Sequence, residues 1–297
     1  MASFDYDEFG FFHENAEEWG LAYPGPPMVR RVAVQVEPGR SVSALVWGDE
    51  PAELVLLHWG AQNAHTWDTV ALALGCPLVA IDLPGHGHSD DNPGGRHDVA
   101  RASRDVATVI EALAPGAKAV VGMSLGGVTA IKLASLRPDL VRRLVLIDIT
   151  PGVTPEKSAA ITAFVSGPAT FASFDDLLAR TVEHNPTRSV SSLRRGILHN
   201  ARQLDDGTWV WRYARPSPSG QSDGPHFAGL WDELGGLTMP VLLVRGMEPG
   251  SVVDDDDEAE LLRRLPDAVV AHVDGAGHSV QGDQPLVLAS LLADELD

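Results

Sequence analysis

A short apolar run passes directly into a helical pattern in Lys118-Ala-Val-Val-Gly-Met-Ser124-Leu-Gly-Gly127, and the helical pattern continues to Leu136. The run predicts a strand, and a serine between a strand and a helix lies on a sharp, strained turn that needs small neighbours such as Gly122 and Gly126. Such a turn exposes the Ser124 hydroxyl beside a helix N-terminus, which favours developing negative charge. A G-x-S-x-G match alone is weak in a chain with 29 glycines. Its position between a strand and a helix predicts that Ser124 is a nucleophile rather than an incidental serine in a turn.

Continuous apolar runs recur along the chain and alternate with helical patterns. Such runs are typical of strands that are covered on both faces. They are Leu54–Leu57, Leu78–Ile81, Ala119–Val121, Leu144–Ile147, Val241–Val244 and Ala268–Val273. Helical patterns lie between them, for example Asp98–Ala114 and Leu125–Leu136, and a hairpin-like pair of runs, 29–36 and 42–47, precedes them. We therefore predict an α/β protein with a mostly parallel central sheet and helices on both faces.

One part of the chain breaks this alternation. No buried strand is predicted from about residue 155 to residue 237, where helical patterns, aromatic residues and a loop signal at 215–220 occur instead. We interpret residues 152–237 as an inserted helical cap, residues 29–151 and 238–297 as the α/β core, and residues 1–28 as an N-terminal arm. Seven aromatic residues fall within residues 1–23, and eight more between Phe164 and Trp231. We expect the arm to fold against the cap or against a partner subunit.

The composition excludes several classes of function. The 297 residues carry 41 Asp and Glu against 22 Lys and Arg, a net charge of −19. This acidity argues against binding to nucleic acid or to an acidic membrane surface. The single cysteine, Cys76, cannot form an intrachain disulfide, and the acidic N-terminal residues do not resemble a signal peptide. No run reaches the roughly 20 apolar residues that span a bilayer, so we expect a cytoplasmic protein.

A serine nucleophile needs a base, and the base needs a carboxylate to orient it. The candidate base is His278, in Gly275-Ala-Gly-His278-Ser directly after the last predicted strand. We favour Asp148 as the carboxylate, because it ends the buried run Leu144–Ile147 and would need a partner there. The loop after Val241–Val244 offers two alternatives that stay open, Glu248 and Asp254, although Ser251 stands where a carboxylate would be expected.

Acyl transfer also needs two N–H donors that stabilise the oxyanion. The turn supplies the N–H of Leu125, and we expect the second from Gly60, in the loop after Leu54–Leu57, because a glycine lets the backbone approach a substrate closely. We interpret His58, His86 and His88 as structural residues. The run Asp254–Asp257 is interpreted as the acidic N-terminus of a helix, with a metal site as the alternative.

These motifs, in this order, resemble those of the α/β-hydrolase superfamily, in particular its cap-bearing, esterase-type members. The resemblance covers roughly residues 29–151 and 238–297. It rests on His58-x-Gly60 with Trp67, Asp82-x-Pro-Gly-x-Gly-x-Ser89, the turn around Ser124, and Gly277-His278. Similar enzymes that place the acid after the sixth strand support Asp148. The usual His-Gly pair reads His58-Trp59 in this chain, which places an indole where it would narrow the acyl pocket or shift the oxyanion loop.

The residues and the resemblance together imply a serine hydrolase that cleaves a small or medium, apolar carboxylic ester through an acyl-enzyme. The substrate would be a small molecule, and the reaction would need no cofactor and no metal. The alternatives are hydrolysis of a thioester, a lactone or a carbon–carbon bond next to a ketone, or non-catalytic ligand binding on the same fold. The oligomeric state stays open. Residues expected to line the substrate pocket are Trp59, Met123, Phe164, Phe171 and Trp209.

Overall fold

The computed structural model describes residues 6–92, 98–185, 188–214 and 227–296, so the loop expected at 215–220 lies outside the described residues. The strands are β1 (Val29–Glu37), β2 (Arg40–Trp47), β3 (Leu54–Leu57), β4 (Leu78–Ile81), β5 (Ala119–Met123), β6 (Leu144–Ile147), β7 (Thr170–Phe171), β8 (Ala201–Gln203), β9 (Trp209–Trp211), β10 (Val241–Gly246) and β11 (Val269–Val273). The α-helices are α1 (Phe12–Trp19), α2 (Asp68–Leu74), α3 (Val99–Leu113), α4 (Leu125–Leu136), α5 (Ala159–Val165), α6 (Phe174–His184), α7 (Val190–Asn200), α8 (Leu230–Gly235), α9 (Asp255–Arg264), α10 (Val280–Asp283) and α11 (Pro285–Asp294).

Eight strands form the central sheet, in the order β1-β2-β4-β3-β5-β6-β10-β11. The two pairs that involve β2 are antiparallel, and every pair from β4 to β11 is parallel. Because side chains alternate along a strand, Leu54 and Leu56 pack into the hydrophobic cluster on one face of the sheet, and Val55 and Leu57 pack into the cluster on the other. This burial on both faces explains why the runs are continuously apolar. The predicted fold class is confirmed.

Local signals in the sequence account for the helix ends. The Asp98 side chain accepts a hydrogen bond from the N–H of Arg101 at the start of α3, and α2 ends at Gly75 with a left-handed φ of 62°. The acidic run also starts a helix: Asp254 caps α9, and the side chain of Asp257 accepts a hydrogen bond from the backbone N–H of Asp254 in return. These aspartates therefore form the expected helix N-terminus.

Residues 152–237 contain α5 to α8 and a small antiparallel sheet in the order β7-β9-β8. The sequence predicted only helices here, because strands of two or three residues are too short to show a periodicity. This segment has a hydrophobic cluster of its own, which includes Phe171, Leu177, Ile197 and Trp209. The boundaries of the segment as a separate domain stay a prediction.

Hydrogen bonds join this segment to the loops that follow β3 and β4. The Asn63 side chain donates to the carbonyl of His199 at 3.0 Å, and the Asn200 side chain donates to the carbonyl of Ala61 at 2.7 Å. The backbone N–H of Ala214 donates to the carbonyl of Gly85 at 2.6 Å. Both loops follow the carboxyl ends of parallel strands, so the segment contacts the edge of the sheet where ligands bind in open α/β folds.

The arm folds onto both of these parts. Helix α1 packs against α2 of the core, and the Arg31 side chain on β1 donates to Glu8 at 2.7 Å. On the other side, Glu18 accepts hydrogen bonds from Ser189 and Arg195 at helix α7. The structure thus shows the arm in contact with the segment 152–237. This is the first of the two arrangements that we expected for the arm. None of the helices in the described ranges is both long and apolar enough to cross a membrane.

Candidate active site

Ser124 occupies a strained turn between β5 and α4. Its φ is +49° and its ψ is −114°, a combination that side-chain-bearing residues rarely adopt. The turn needs the glycines on either side of Ser124, because a larger residue would clash there. A Cβ atom on Gly122 would lie 2.5 Å from the carbonyl oxygen of Gly126, and a Cβ on Gly126 would lie 2.3 Å from the carbonyl oxygen of Leu57. The turn therefore packs directly against the end of β3.

The structure brings Asp148 and His278 together across 130 residues of chain. Nδ1 of His278 lies 2.9 Å from Oδ2 of Asp148. Asp148 is fully buried and His278 nearly so. Because the ionised carboxylate can only accept, Nδ1 of His278 carries the proton of this bond. Nε2 of His278 has no hydrogen-bond partner within the described ranges, so the ring offers an unoccupied lone pair on the other side.

Three further groups hold the Asp148 carboxylate. Backbone N–H groups of Gly246 and Val252 donate to it at 3.1 and 3.0 Å, and the Ser251 hydroxyl donates at 2.5 Å. Asp148 itself has a positive φ of 45°. The sequence singled out Ser251 only as a departure from an expected carboxylate. Its role as a donor depends on a contact between two loops that no local pattern encodes.

The two alternative acids lie in other surroundings. Asp254 caps α9 and forms an ion pair with Lys157 at 2.7 Å. The pKa of Asp254 is lowered, chiefly by its hydrogen bond with Lys157. Glu248 is exposed, and its backbone N–H donates to the carbonyl of Ala276. Neither side chain has a hydrogen bond to His278, whose partner within the described ranges is Asp148.

The predicted oxyanion donors are adjacent in space. A Cβ atom on Gly60 would lie 3.7 Å from the Leu125 side chain, so the loop after β3 reaches the start of α4. The next residue, Ala61, has a φ of +65°, which bends the loop sharply. The roles of Gly60 and Leu125 in binding an oxyanion stay predictions.

His58 and the loop after β4 support this arrangement. Nδ1 of His58 lies 2.7 Å from the carbonyl oxygen of Trp59, and Nε2 accepts a hydrogen bond from the N–H of Leu83 at 2.9 Å. These two bonds fix a neutral ring and tie the loop after β3 to the loop after β4. His86 is buried, with its ring centroid 5.1 Å from that of His58, and the N–H of His88 donates to Asp82. His58 and His86 thus make structural contacts through their rings, and His88 makes one through its backbone.

Asp82 connects several of these elements, and the sequence analysis gave it no role. It is fully buried and accepts hydrogen bonds from the backbone N–H groups of Ala64 and His88 and from Arg31. Burial would raise its pKa, but Arg31 and the backbone donors outweigh burial and lower the pKa. Its position at the start of the Asp82–Ser89 motif was the signal that could have identified it.

The expected pocket residues occupy different environments. The Trp59 ring meets the His278 ring edge to face, with centroids 6.2 Å apart and an interplanar angle of 74°. Met123 is fully buried in the core at the end of β5. Phe171 and Trp209 belong to the hydrophobic cluster of the segment 152–237. Phe164 is half-buried, and its ring meets the Trp211 ring edge to face. Packing accounts for Phe171 and Trp209, and the pocket roles stay predictions.

A buried cluster of His65, Asp68 and His199 lies where the arm, the core and helix α7 meet. One ligand atom from each lies within 4.8 Å of the others. A metal ion binds an imidazole nitrogen in the plane of the ring, but the two imidazole rings stack at 3.9 Å with only 12° between their planes. Both nitrogens of His65 face carboxylates, Asp68 at 2.9 Å and Glu8 at 3.1 Å. The geometry is that of a stacked, hydrogen-bonded cluster rather than a formed metal site.

Comparisons with known proteins show which family the chain resembles along its length. A profile of the Alpha/beta hydrolase family matches residues 54–291. The chain is 46% identical to Esterase Rv0045c of Mycobacterium tuberculosis over 299 residues, which cover 98% of this chain and 96% of that one. It is 30% identical to 2-(acetamidomethylene)succinate hydrolase of Mesorhizobium japonicum over 251 residues, which cover 82% of this chain and 87% of that one.

Solved structures show the same relationship. The crystal structure of the M. tuberculosis esterase superimposes with a TM-score of 0.85 and covers 98% of both chains. The structure of E-2-(acetamidomethylene)succinate hydrolase, at 24% identity, superimposes with a TM-score of 0.76 over 91% of this chain and 100% of that one, and so supports the fold. The family profile and the 46% identical relative both match this chain along most of its length. The chain, with its strained serine turn and its buried Asp–His pair, therefore belongs to the alpha/beta hydrolase family.

Proposed function

We propose that the protein is a serine hydrolase that cleaves a small or medium, apolar carboxylic ester through an acyl-enzyme. Ser124, His278 and Asp148 form the proposed triad, with the N–H groups of Gly60 and Leu125 as oxyanion donors. The observation that carries the proposal is the orientation of His278. Its Nδ1 is bound to Asp148 while its Nε2 has no partner within the described ranges, which is the arrangement a general base for Ser124 requires.

The proposed reaction has two halves. In the first, Oγ of Ser124 bonds to the ester carbonyl carbon while its proton passes to Nε2 of His278. The carbonyl oxygen gains the negative charge, which the two backbone N–H groups stabilise. The bond to the alcohol oxygen then breaks, and His278 returns the proton to the leaving alcohol. In the second half, water attacks the acyl-enzyme by the same steps, releases the acid and restores Ser124.

The relatives support this choice among the possible reactions. The M. tuberculosis relative, which is similar over almost the whole chain, is named an esterase. The same residues could cleave a thioester, a lactone or a carbon–carbon bond next to a ketone, since each reaction needs an activated serine and an oxyanion site. A ligand binder without catalysis is the other alternative. The negative net charge of −19 gives no help in attracting anionic substrates, which supports an uncharged ester.

Labelling with a fluorophosphonate probe tests the activated serine directly. The wild-type protein should be labelled, and Ser124→Ala should not. Ser135→Ala is the matched control, because Ser135 is an exposed serine near the end of the same helix α4. Folded wild-type protein that stays unlabelled would contradict the proposal.

A panel of esters that varies acyl and alcohol size then tests the substrate class, with Ser124→Ala as the blank. We expect turnover to be fastest for uncharged esters with short or medium acyl chains. Turnover of thioesters or lactones alone would favour those alternatives, and ligand binding without any turnover would favour the binder. A cytoplasmic location stays part of the proposal, and fractionation of the source cells tests it.

A further inference from the structure

Ser251 lies beside the buried end of the Asp148 side chain. Its hydroxyl oxygen is 2.5 Å from Oδ1 of Asp148 and accepts a hydrogen bond from the N–H of Val253 at 3.2 Å. A hydroxyl has a single proton, and the charged carboxylate at 2.5 Å is a stronger acceptor than the Val253 carbonyl oxygen at 3.1 Å. The proton of Ser251 therefore points to Asp148.

The carboxylate is held on both of its oxygens. Oδ1 accepts from Ser251 and from the N–H of Gly246, and Oδ2 accepts from the N–H of Val252 and from Nδ1 of His278. Within the described ranges, Ser251 and His278 are the two side chains that donate to this carboxylate. If the Ser251 donor is removed, Oδ1 keeps the N–H of Gly246 as its donor, so the carboxylate plane is held less firmly in its orientation toward His278.

We propose that Ser251 is a positioning residue that orients Asp148 toward His278. The inference rests on the proposed function and deepens it. The contacts that carry it are the bond of the Ser251 hydroxyl to Oδ1 of Asp148 and the bond of Oδ2 to His278.

Single substitutions of Ser251 test the positioning role. We expect Ser251→Ala to lower kcat for an ester by about 10- to 100-fold with KM changed less than twofold, since a hydrogen bond to a charged group is lost and no substrate contact is. Ser251→Thr keeps a hydroxyl and should retain most of kcat. Equal kcat values in wild type and Ser251→Ala would overturn the positioning role.

Ser251→Cys is the second variant if Ser251→Ala does not fold. A thiol is a weak hydrogen-bond donor, so kcat should fall between the values for Ser251→Thr and Ser251→Ala. A kcat of Ser251→Cys equal to that of the wild type would overturn the positioning role.

Proton NMR gives a readout that does not depend on turnover. The proton between Nδ1 of His278 and Asp148 should give a low-field signal in the wild type. That signal should broaden or shift upfield in Ser251→Ala and return in Ser251→Thr. An unchanged signal in Ser251→Ala overturns the inference even if esters are hydrolysed. A protein that shows the expected signals but resists the fluorophosphonate probe would instead refute the proposed function alone.

Discussion

The phenolic oxygen of Tyr6 lies 2.6 Å from Nδ1 of His199, a residue 193 positions further along the chain. The two rings also meet edge to face, with centroids 5.7 Å apart. Burial, followed by the positive charge of His65, lowers the pKa of His199 well below its ordinary value. His199 is therefore neutral at pH 7, and its Nδ1 accepts a hydrogen bond from the Tyr6 hydroxyl. This contact fastens the N-terminal arm to helix α7.

Loss of the Tyr6 hydroxyl should weaken this connection. Tyr6→Phe leaves a buried imidazole nitrogen without its donor, so we expect the free energy of unfolding to fall by about 1 to 2 kcal/mol. Urea denaturation at pH 7 measures the change. Tyr23→Phe in the same arm is the control, because the Tyr23 hydroxyl makes no hydrogen bond in the described part of the chain. Equal effects of the two substitutions would show that the Tyr6 contact contributes nothing specific.

The stability of the protein should fall at alkaline pH because of His65. Burial would lower the pKa of His65, but the carboxylates of Asp68 and Glu8 outweigh burial and raise the pKa to about 9. The ordinary pKa in the unfolded chain is 6.5, so this group stabilises the folded state fully below pH 6.5. The contribution, on the order of 3 kcal/mol, declines as the pH rises from 6.5 and is lost as it passes the folded pKa near 9.

Urea denaturation between pH 6 and pH 10 measures this dependence. The difference in unfolding free energy between the wild type and His65→Asn should shrink as the pH rises through 9. His13 is exposed on α1, so His13→Asn should leave the dependence unchanged. A wild type whose stability is constant over this range relative to His65→Asn contradicts the raised pKa.

Substitutions of the candidate acids should show whether Asp148 or the loop after β10 supplies the acid of the triad. We expect Asp148→Asn to lower kcat about 1,000- to 10,000-fold. The amide NH2 can donate a hydrogen bond to Nδ1 of His278, which favours the tautomer with the proton on Nε2, and a ring in that form cannot act as the base. Asp254→Asn should change kcat less than twofold, since Asp254 caps α9 and pairs with Lys157. Steady-state kinetics with one ester is sufficient. The reverse order of effects would move the acid to the loop after β10.

A methyl group at Gly126 should disrupt the serine turn. A Cβ atom there would lie 2.3 Å from the carbonyl oxygen of Leu57, a backbone atom that cannot move away without shifting β3. We expect Gly126→Ala to lower the unfolding free energy by about 3 kcal/mol or more and to abolish fluorophosphonate labelling. Gly116→Ala is the control, because a Cβ at Gly116 meets no atom within 4 Å. A Gly126→Ala protein as stable as the control would show that the close packing is wrong.

Trp59 should limit the length of the acyl chain that the site accepts. Its ring stands against His278, and its indole nitrogen is buried without a hydrogen-bond partner within the described ranges. Trp59→Gly should shift the preference toward longer acyl chains, with kcat/KM for an octanoate relative to an acetate rising about tenfold. Trp59→Phe, which keeps most of the volume, should give a smaller shift. An unchanged preference in Trp59→Gly would remove Trp59 from the pocket.

Local patterns in the sequence determined the sheet and the serine turn. The bounds of β3, β4, β6 and α4 match the predicted runs, because a strand buried on both faces is apolar at each position and a helix stops where proline follows. The turn at Ser124 was also predicted, because the glycines that it needs are neighbours in the chain. The order of Ser124, Asp148 and His278 along the chain can be read directly from the sequence.

Only the tertiary structure decided which groups surround these residues. The bond of Asp148 to His278 spans 130 residues and that of Ser251 to Asp148 spans 103, and no periodicity reports a contact between loops. Aromatic residues were ambiguous in the same way: Phe171 and Trp209 pack within their own segment, although their side chains would suit a pocket equally well. The sequence by itself determined what each short segment forms, since backbone geometry and burial act on neighbouring residues. The partners of the polar side chains depend on how distant segments pack, and that packing appears only in three dimensions.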